Sequence, residues 1–170
     1  MKRLATSLRA LAWAAAFLAL AAAAVSIVQP QFRGQLGVMN VIFDTPDIQT
    51  LPADLRAVAV VVPALCFAYA MWQLAGLLRL AARNEVFSAP AAVYLRRFGV
   101  WLLITTLADK LALAAAKILD FFLNHGGRGS LKFSLSSEDI WNVFLSALFM
   151  LVARVIADAY RIAEENRQII

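Results

Sequence analysis

Asp109, Lys110 and Arg154 carry the sharpest chemical signal in this chain, because each falls inside an otherwise apolar stretch. An ionisable group deep in a bilayer costs at least ~2.5–3.5 kcal/mol and normally faces a partner, the bundle interior or a wet cavity. Counting about 1.5 Å per residue along a span over 98–122 puts Asp109 and Lys110 near the midplane. Arg154, entering from the other side, falls about one turn closer to the cytoplasm, so an Asp109–Arg154 pair between the third and fourth helices is expected. Two uses are open to such a set. One is an ion or proton path, or a ligand-responsive polar switch. The other is a buried pair that fixes helix register without adding net stability. Lys117 and Asp120 lie nearer the outer interface and are expected to snorkel.

Other chemistries find no residues to use. His125 is the single histidine and Cys66 the single cysteine, on different segments, so no metal-ligand spacing exists. No nucleophile is placed beside a base, so no catalytic residues, no cofactor and no enzymatic activity are expected. Gly126, Gly127, Arg128 and Gly129 form a glycine-rich run, but no strand precedes it and no Lys-Ser pair follows, so it reads as a turn. The net charge of +5 reads as loop charge that sets membrane orientation rather than as a nucleic-acid surface.

The elements that must position these residues follow from composition. The hydrophobic class makes up 62% of 170 residues and the charged class 16%, against roughly 45–50% and 25% in soluble domains. A domain of this size buries only about 70% of the surface of its unfolded chain, so so much apolar surface needs a lipid solvent. A bilayer core needs roughly 20 apolar residues per helix. Four stretches qualify, over about 10–28, 57–78, 98–122 and 140–160. The expectation is an all-α, integral membrane four-helix transmembrane bundle, with residues 1–170 as a single membrane domain. Outer loops cover 29–56 and 123–139, an inner loop 79–97 and a cytoplasmic tail 161–170. Lys2, Arg3, Arg9, Arg79, Arg83, Arg96, Arg97, Arg154, Arg161 and Arg167 fall on one side, and Arg33, Arg56, Arg128 and Lys132 on the other. By the positive-inside rule, both termini are inside, N-in/C-in. Trp72 and Trp101 near the inner face and Trp141 near the outer fit aromatic belts.

The first span also has features of a signal peptide, with basic residues ahead of an alanine-rich run. It runs long enough to span and is expected to be retained. Ser88 before Ala89-Pro90 reads as an N-cap with proline in the first turn, opening a helix that could run directly into the third span. Ser136-Ser137-Glu138-Asp139 has the form of a capping box. Pro63 suggests a kink in the second span. Arg154, Asp158, Arg161 and Glu165 fall three or four residues apart, as in a helix that leaves the membrane and stays helical; such a surface could also dock a partner. Alanines at 15, 19 and 23, and at 108, 112 and 116, favour close helix packing, within one chain rather than between copies. A homo-oligomer stays open.

RNEVFSAPAAVYLRRFG (83–99) and LVARVIADAYRIAEENRQII (151–170) resemble segments of the bacterial and archaeal membrane proteins grouped as domain of unknown function 2975. Phe87, Leu95, Arg96 and Gly99 match a short inner-loop motif that leads into the third helix. Glu165 and Asn166 match a Glu-Asn pair in the closing segment. The layout resembles the family along essentially the whole chain. Asn84-Glu85 stands where many members have glycine, and Ala91 where asparagine is common. The resemblance implies four membrane helices and no established enzymatic activity. Members are often encoded beside a helix-turn-helix regulator, which implies a membrane protein that holds or modulates a transcription factor. The expected function is therefore that of a regulatory or sensory interaction protein of the cytoplasmic (inner) membrane. Its contact surface for a cytoplasmic protein partner would comprise Phe87, Leu95, Arg96, Arg97, Gly99, Asp158, Arg161, Glu165 and Asn166. The alternative is a subunit of an oligomeric transporter or channel that uses Asp109, Lys110 and Arg154. Its partners are then the lipid bilayer and other proteins, with no direct contact to nucleic acid.

Overall fold

The computed structural model describes residues 2–28, 53–125 and 137–167. Regular structure among them is entirely α-helical: α1 (Lys2–Val28), α2 (Ala53–Ala82), α3 (Ala89–His125) and α4 (Ser137–Arg167). All four are long and apolar enough to cross a membrane. The outer loops, with Arg33, Arg128, Lys132 and the glycine-rich run, lie outside the described residues, as does Ser136 of the expected capping box. The side chains of Lys117, Asp120 and His125 lie outside them too.

The helices pack in series. Among the described residues, α1 touches α2, α2 touches α3 and α3 touches α4, and no other pair of helices meets. Each junction is antiparallel and carries one aromatic pair. Trp13 meets Trp72 at 6.0 Å between ring centroids, Tyr69 meets Trp101 at 4.6 Å, and Phe98 meets Phe149 edge-on at 5.0 Å. Such pairs contribute roughly 0.5–1.5 kcal/mol beyond their buried area. Trp72 and Trp101, expected in an aromatic belt, each join two helices.

Small residues bring the backbones together. Ala12, Ala16, Ala19 and Ala23 form the buried stripe of α1, and Ala23 packs with Val60 and Ala64 of α2. The expected stripe of Ala15, Ala19 and Ala23 is therefore an intramolecular seam, shifted by part of a turn. Ala108 and Ala112 are half-buried. Further along, Ala70, Leu95, Phe98 and Ala153 form a second core cluster drawn from α2, α3 and α4. Large apolar side chains such as Phe17, Leu111, Phe144 and Val155 stay on the outside. Small residues within and large apolar ones without is the pattern expected where the solvent is hydrocarbon.

Polar residues in the spans are mostly satisfied locally. Thr105 donates to the Trp101 carbonyl at 2.8 Å, Thr106 to Leu102 at 3.2 Å and Ser146 to Asn142 at 2.7 Å, each one turn back along its own helix. Pro63 is fully buried within a helix that continues on both sides of it.

The connection between α2 and α3 is short and tightly capped. Glu85 N–H donates to the Leu80 carbonyl at 3.1 Å and Asn84 N–H to that of Ala81 at 3.1 Å, which is the Schellman arrangement that ends many helices. Asn84 has φ of 62°, the left-handed conformation that glycine adopts most readily and asparagine tolerates. The departure from glycine noted at this point of the sequence thus keeps the backbone geometry of glycine. Ser88 then caps α3 as expected: its Oγ accepts the Ala91 N–H at 3.4 Å and donates to the Glu85 carbonyl at 2.7 Å. Helix α3 accordingly begins at Ala89 and runs without a break through the third span, as the cap predicts.

Candidate functional site

The seam between α3 and α4 holds most of the residues that could do chemistry, and its register is set at Gly99. A Cβ on Gly99 would lie 3.0 Å from the Ser146 carbonyl oxygen and 3.2 Å from Phe149 Cβ. Glycine lets the two backbones meet this closely, and any side chain there would push α4 outward. Leu95, one turn earlier, is buried in the core cluster. Both residues were expected on a partner-binding surface, and the structure corrects this: Leu95 and Gly99 are packing residues that hold α4 against α3. Gly76 has a similar role on α2, where a Cβ would come within 2.6 Å of the Tyr94 ring.

Away from Gly99 in one direction, Lys110 Nζ lies 3.0 Å from Asp139 Oδ2, with both side chains largely buried. Asp139 is in the first turn of α4, where the helix dipole also favours a negative charge. This placement corrects the expected Asp109–Arg154 pair. Arg154 comes fifteen residues after Asp139 on the same helix, about 22 Å along its axis at 1.5 Å per residue. Asp109, next to Lys110, is separated from Arg154 by a similar distance. The carboxylate that meets this α3 charge comes from the start of α4, and Arg154 belongs to the opposite end of the seam.

At that opposite end the packed seam, with Leu95 and Ala153 buried in one cluster, is flanked by a groove. The groove, of about 640 Å³, is lined by Ala89, Ala92, Val93, Arg96 on α3 and by Met150, Leu151, Ala153, Arg154, Ala157 on α4. Its α3 wall is a stripe at three- and four-residue spacing, and so is most of its α4 wall. Four alanines face one another across it, and their short side chains leave the space unfilled. Arg96 and Arg154 form no ion pair among the described residues, and Arg154 does not reach Asp158. Of the expected charge ladder on α4, only Arg161–Glu165 forms, at 3.6 Å and on the surface.

Two further features belong to this basic end. Phe87, on the capped connection, is 78% exposed, and Val86 beside it is exposed as well. Beyond Ala157, all residues of α4 through Asn166 are exposed, including Asp158, Arg161, Glu165 and Asn166. Arg97 is exposed on α3. Phe87, Arg96, Arg97 and the end of α4 are thus accessible at one end of the molecule, without Leu95 and Gly99.

One buried polar group had no signal in the sequence beyond its residue type. Gln73 is 4% exposed on α2, and its Oε1 has no hydrogen-bond partner among the described residues. A lone glutamine in an apolar helix can face lipid interface, solvent or core, and only the packing distinguishes them. Among the described residues, no group of three His, Cys, Asp or Glu side chains could hold a metal ion.

The family model for the proteins of unknown function DUF2975 matches residues 39–170, and the chain belongs to that family. The match takes in α2, α3 and α4 and leaves α1 outside, a narrower coverage than the resemblance along the whole chain suggests. No curated protein and no solved structure matches the chain.

Proposed function

We propose that this small multi-pass protein lies in the cytoplasmic membrane with both termini inside, as a regulatory or sensory interaction protein rather than an enzyme. The observation that carries the reading is the free end of α4. The helix continues past its last packing contact with α3, exposed on all sides and laced by the Arg161–Glu165 pair. An exposed helix end that packs on nothing among the described residues is a surface available to another protein. Phe87, held by caps on both sides, adds an exposed aromatic anchor at the same end. Arginines concentrate there as well, which by the positive-inside rule assigns this end to the cytoplasm. The partner is a cytoplasmic protein, and a helix-turn-helix regulator is the candidate to test first.

Co-purification from detergent-solubilised membranes tests the partner. Full-length protein should retain it, and a variant lacking residues 161–170 should lose it; equal recovery by both removes the α4 docking surface. Topology is tested separately with Glu165→Cys and a membrane-impermeant maleimide. Labelling only after the cells are opened agrees with a cytoplasmic end, whereas labelling of intact cells reverses it.

A further inference from the structure

We propose that the groove between α3 and α4 is a binding site for an anionic phospholipid, with the phosphate held between Arg96 and Arg154. Both guanidiniums line the groove, and neither has an ion-pair partner among the described residues. Their level along the seam follows from the contact between Gly99 and Met150. Arg96 comes three residues before Gly99 and Arg154 four after Met150, so in antiparallel helices both lie about one turn from that contact, toward the same end. Two cations at one level are a poor way to close a helix seam, because they repel each other. They are a good way to bind the two non-bridging oxygens of a phosphodiester, which share one negative charge and which arginine engages through two parallel N–H donors.

The remaining lining selects the rest of the ligand. From the arginines toward the Gly99 contact, Met150 and Leu151 continue the groove with apolar surface, and Leu151 is exposed. A soluble phosphate would use the arginines and leave that surface without a partner. A phospholipid places its phosphate on the arginines and its acyl chains along the apolar wall. The alanines at 89, 92, 153 and 157 keep the space open for it. Its volume of about 640 Å³ is within the usual ligand-site range of roughly 300–1,000 Å³. Basic pockets between membrane helices are a known way to bind anionic head groups. The proposal requires the helices to lie in a bilayer and does not depend on a protein partner, so it and the docking surface on α4 can fail independently.

The test is native mass spectrometry of the full chain in detergent with equimolar phosphatidylglycerol and phosphatidylcholine. With two arginines at the head group, a preference for phosphatidylglycerol of roughly thirtyfold is expected. Arg96→Gln with Arg154→Gln should abolish the preference, Arg96→Lys with Arg154→Lys should keep most of it, and Arg161→Gln should leave it unchanged. Ala157→Trp retains both charges but fills the groove, and should block binding. This last variant decides the matter if the double glutamine variant does not give a monodisperse helical protein. Equal binding of the two lipids by the unaltered chain, undiminished preference in Ala157→Trp, or displacement of the lipid by millimolar inorganic phosphate would each overturn the proposal.

Discussion

The two ends of the α3–α4 seam are built from the same kinds of residue with opposite results. At one end, Lys110 faces Asp139 at 3.0 Å and the helices are joined. At the other, Arg96 and Arg154 line one groove, and no carboxylate among the described residues pairs with either. Between them Gly99 brings the backbones into contact and acts as the fixed point for both. A charge in a membrane protein thus has two uses separated by little more than the sign of its neighbour. Opposite charges close a seam, whereas like charges leave a groove beside it for a ligand that supplies the missing sign.

Substitutions can break this contrast, and the largest effect is expected at the closed end. Lys110→Met removes the ammonium that lies 3.0 Å from the buried Asp139 carboxylate, and should destabilise the protein by about 3–5 kcal/mol. Lys110→Met combined with Asp139→Leu should restore most of that, because replacing both charges with apolar groups removes the desolvation cost as well. Thermal unfolding of the three proteins in one detergent checks the cycle, and a double variant as unstable as the single would refute it. Next in size is Gly99→Leu at the fixed point. Its side chain would meet the α4 backbone, and a loss of about 1–3 kcal/mol is expected from overpacking. Since both ends depend on that contact, lipid preference should fall together with stability.

Smaller effects sharpen the contrast. Gln73→Leu, away from either end, removes a buried acceptor without a partner among the described residues. It should stabilise the protein by about 1 kcal/mol, read as a raised unfolding midpoint. At the open end, Arg96→Gln with Arg154→Gln should change stability by no more than about 0.5 kcal/mol per site, since exposed charges without partners contribute little. A large loss of stability there would show that the arginines hold the fold, and the difference between the two ends would vanish.

How much of this was legible in the sequence differs from element to element. The four helices could be read directly, because lipid demands long apolar runs and little else satisfies that demand. Ser88 could be read as a cap because its signal is local: a hydroxyl, then a proline in the first turn. The exposed end of α4 was visible in charges at helical spacing. The partner of Lys110 was not legible, for a specific reason. Depth in the membrane was counted from a span beginning near Phe98, but the apolar stretch of α3 already begins nine residues earlier, with the helix itself at Ala89. That moves Asp109 and Lys110 by about 13 Å relative to the start of the helix, from the middle of the seam toward its end, where they meet the first turn of α4. Leu95 and Gly99 were misplaced for another reason. A residue in a recurrent motif can be kept for binding or for packing, and its type alone does not separate the two. Gly99 shows its role only when the Ser146 carbonyl is found against it.

The serial order of the helices has a consequence for how the chain is made. Among the described residues each helix packs only on those next to it in the chain, so none of the four has to wait for a distant helix before it finds a partner. As synthesis proceeds from the N-terminus, α2 can settle against α1, then α3 against α2, with α4 arriving last. Contacts between segments close in sequence favour rapid assembly. The groove with its two arginines is then completed only after the α1–α2 and α2–α3 junctions, because one of its walls is supplied by α4, which follows the other three helices.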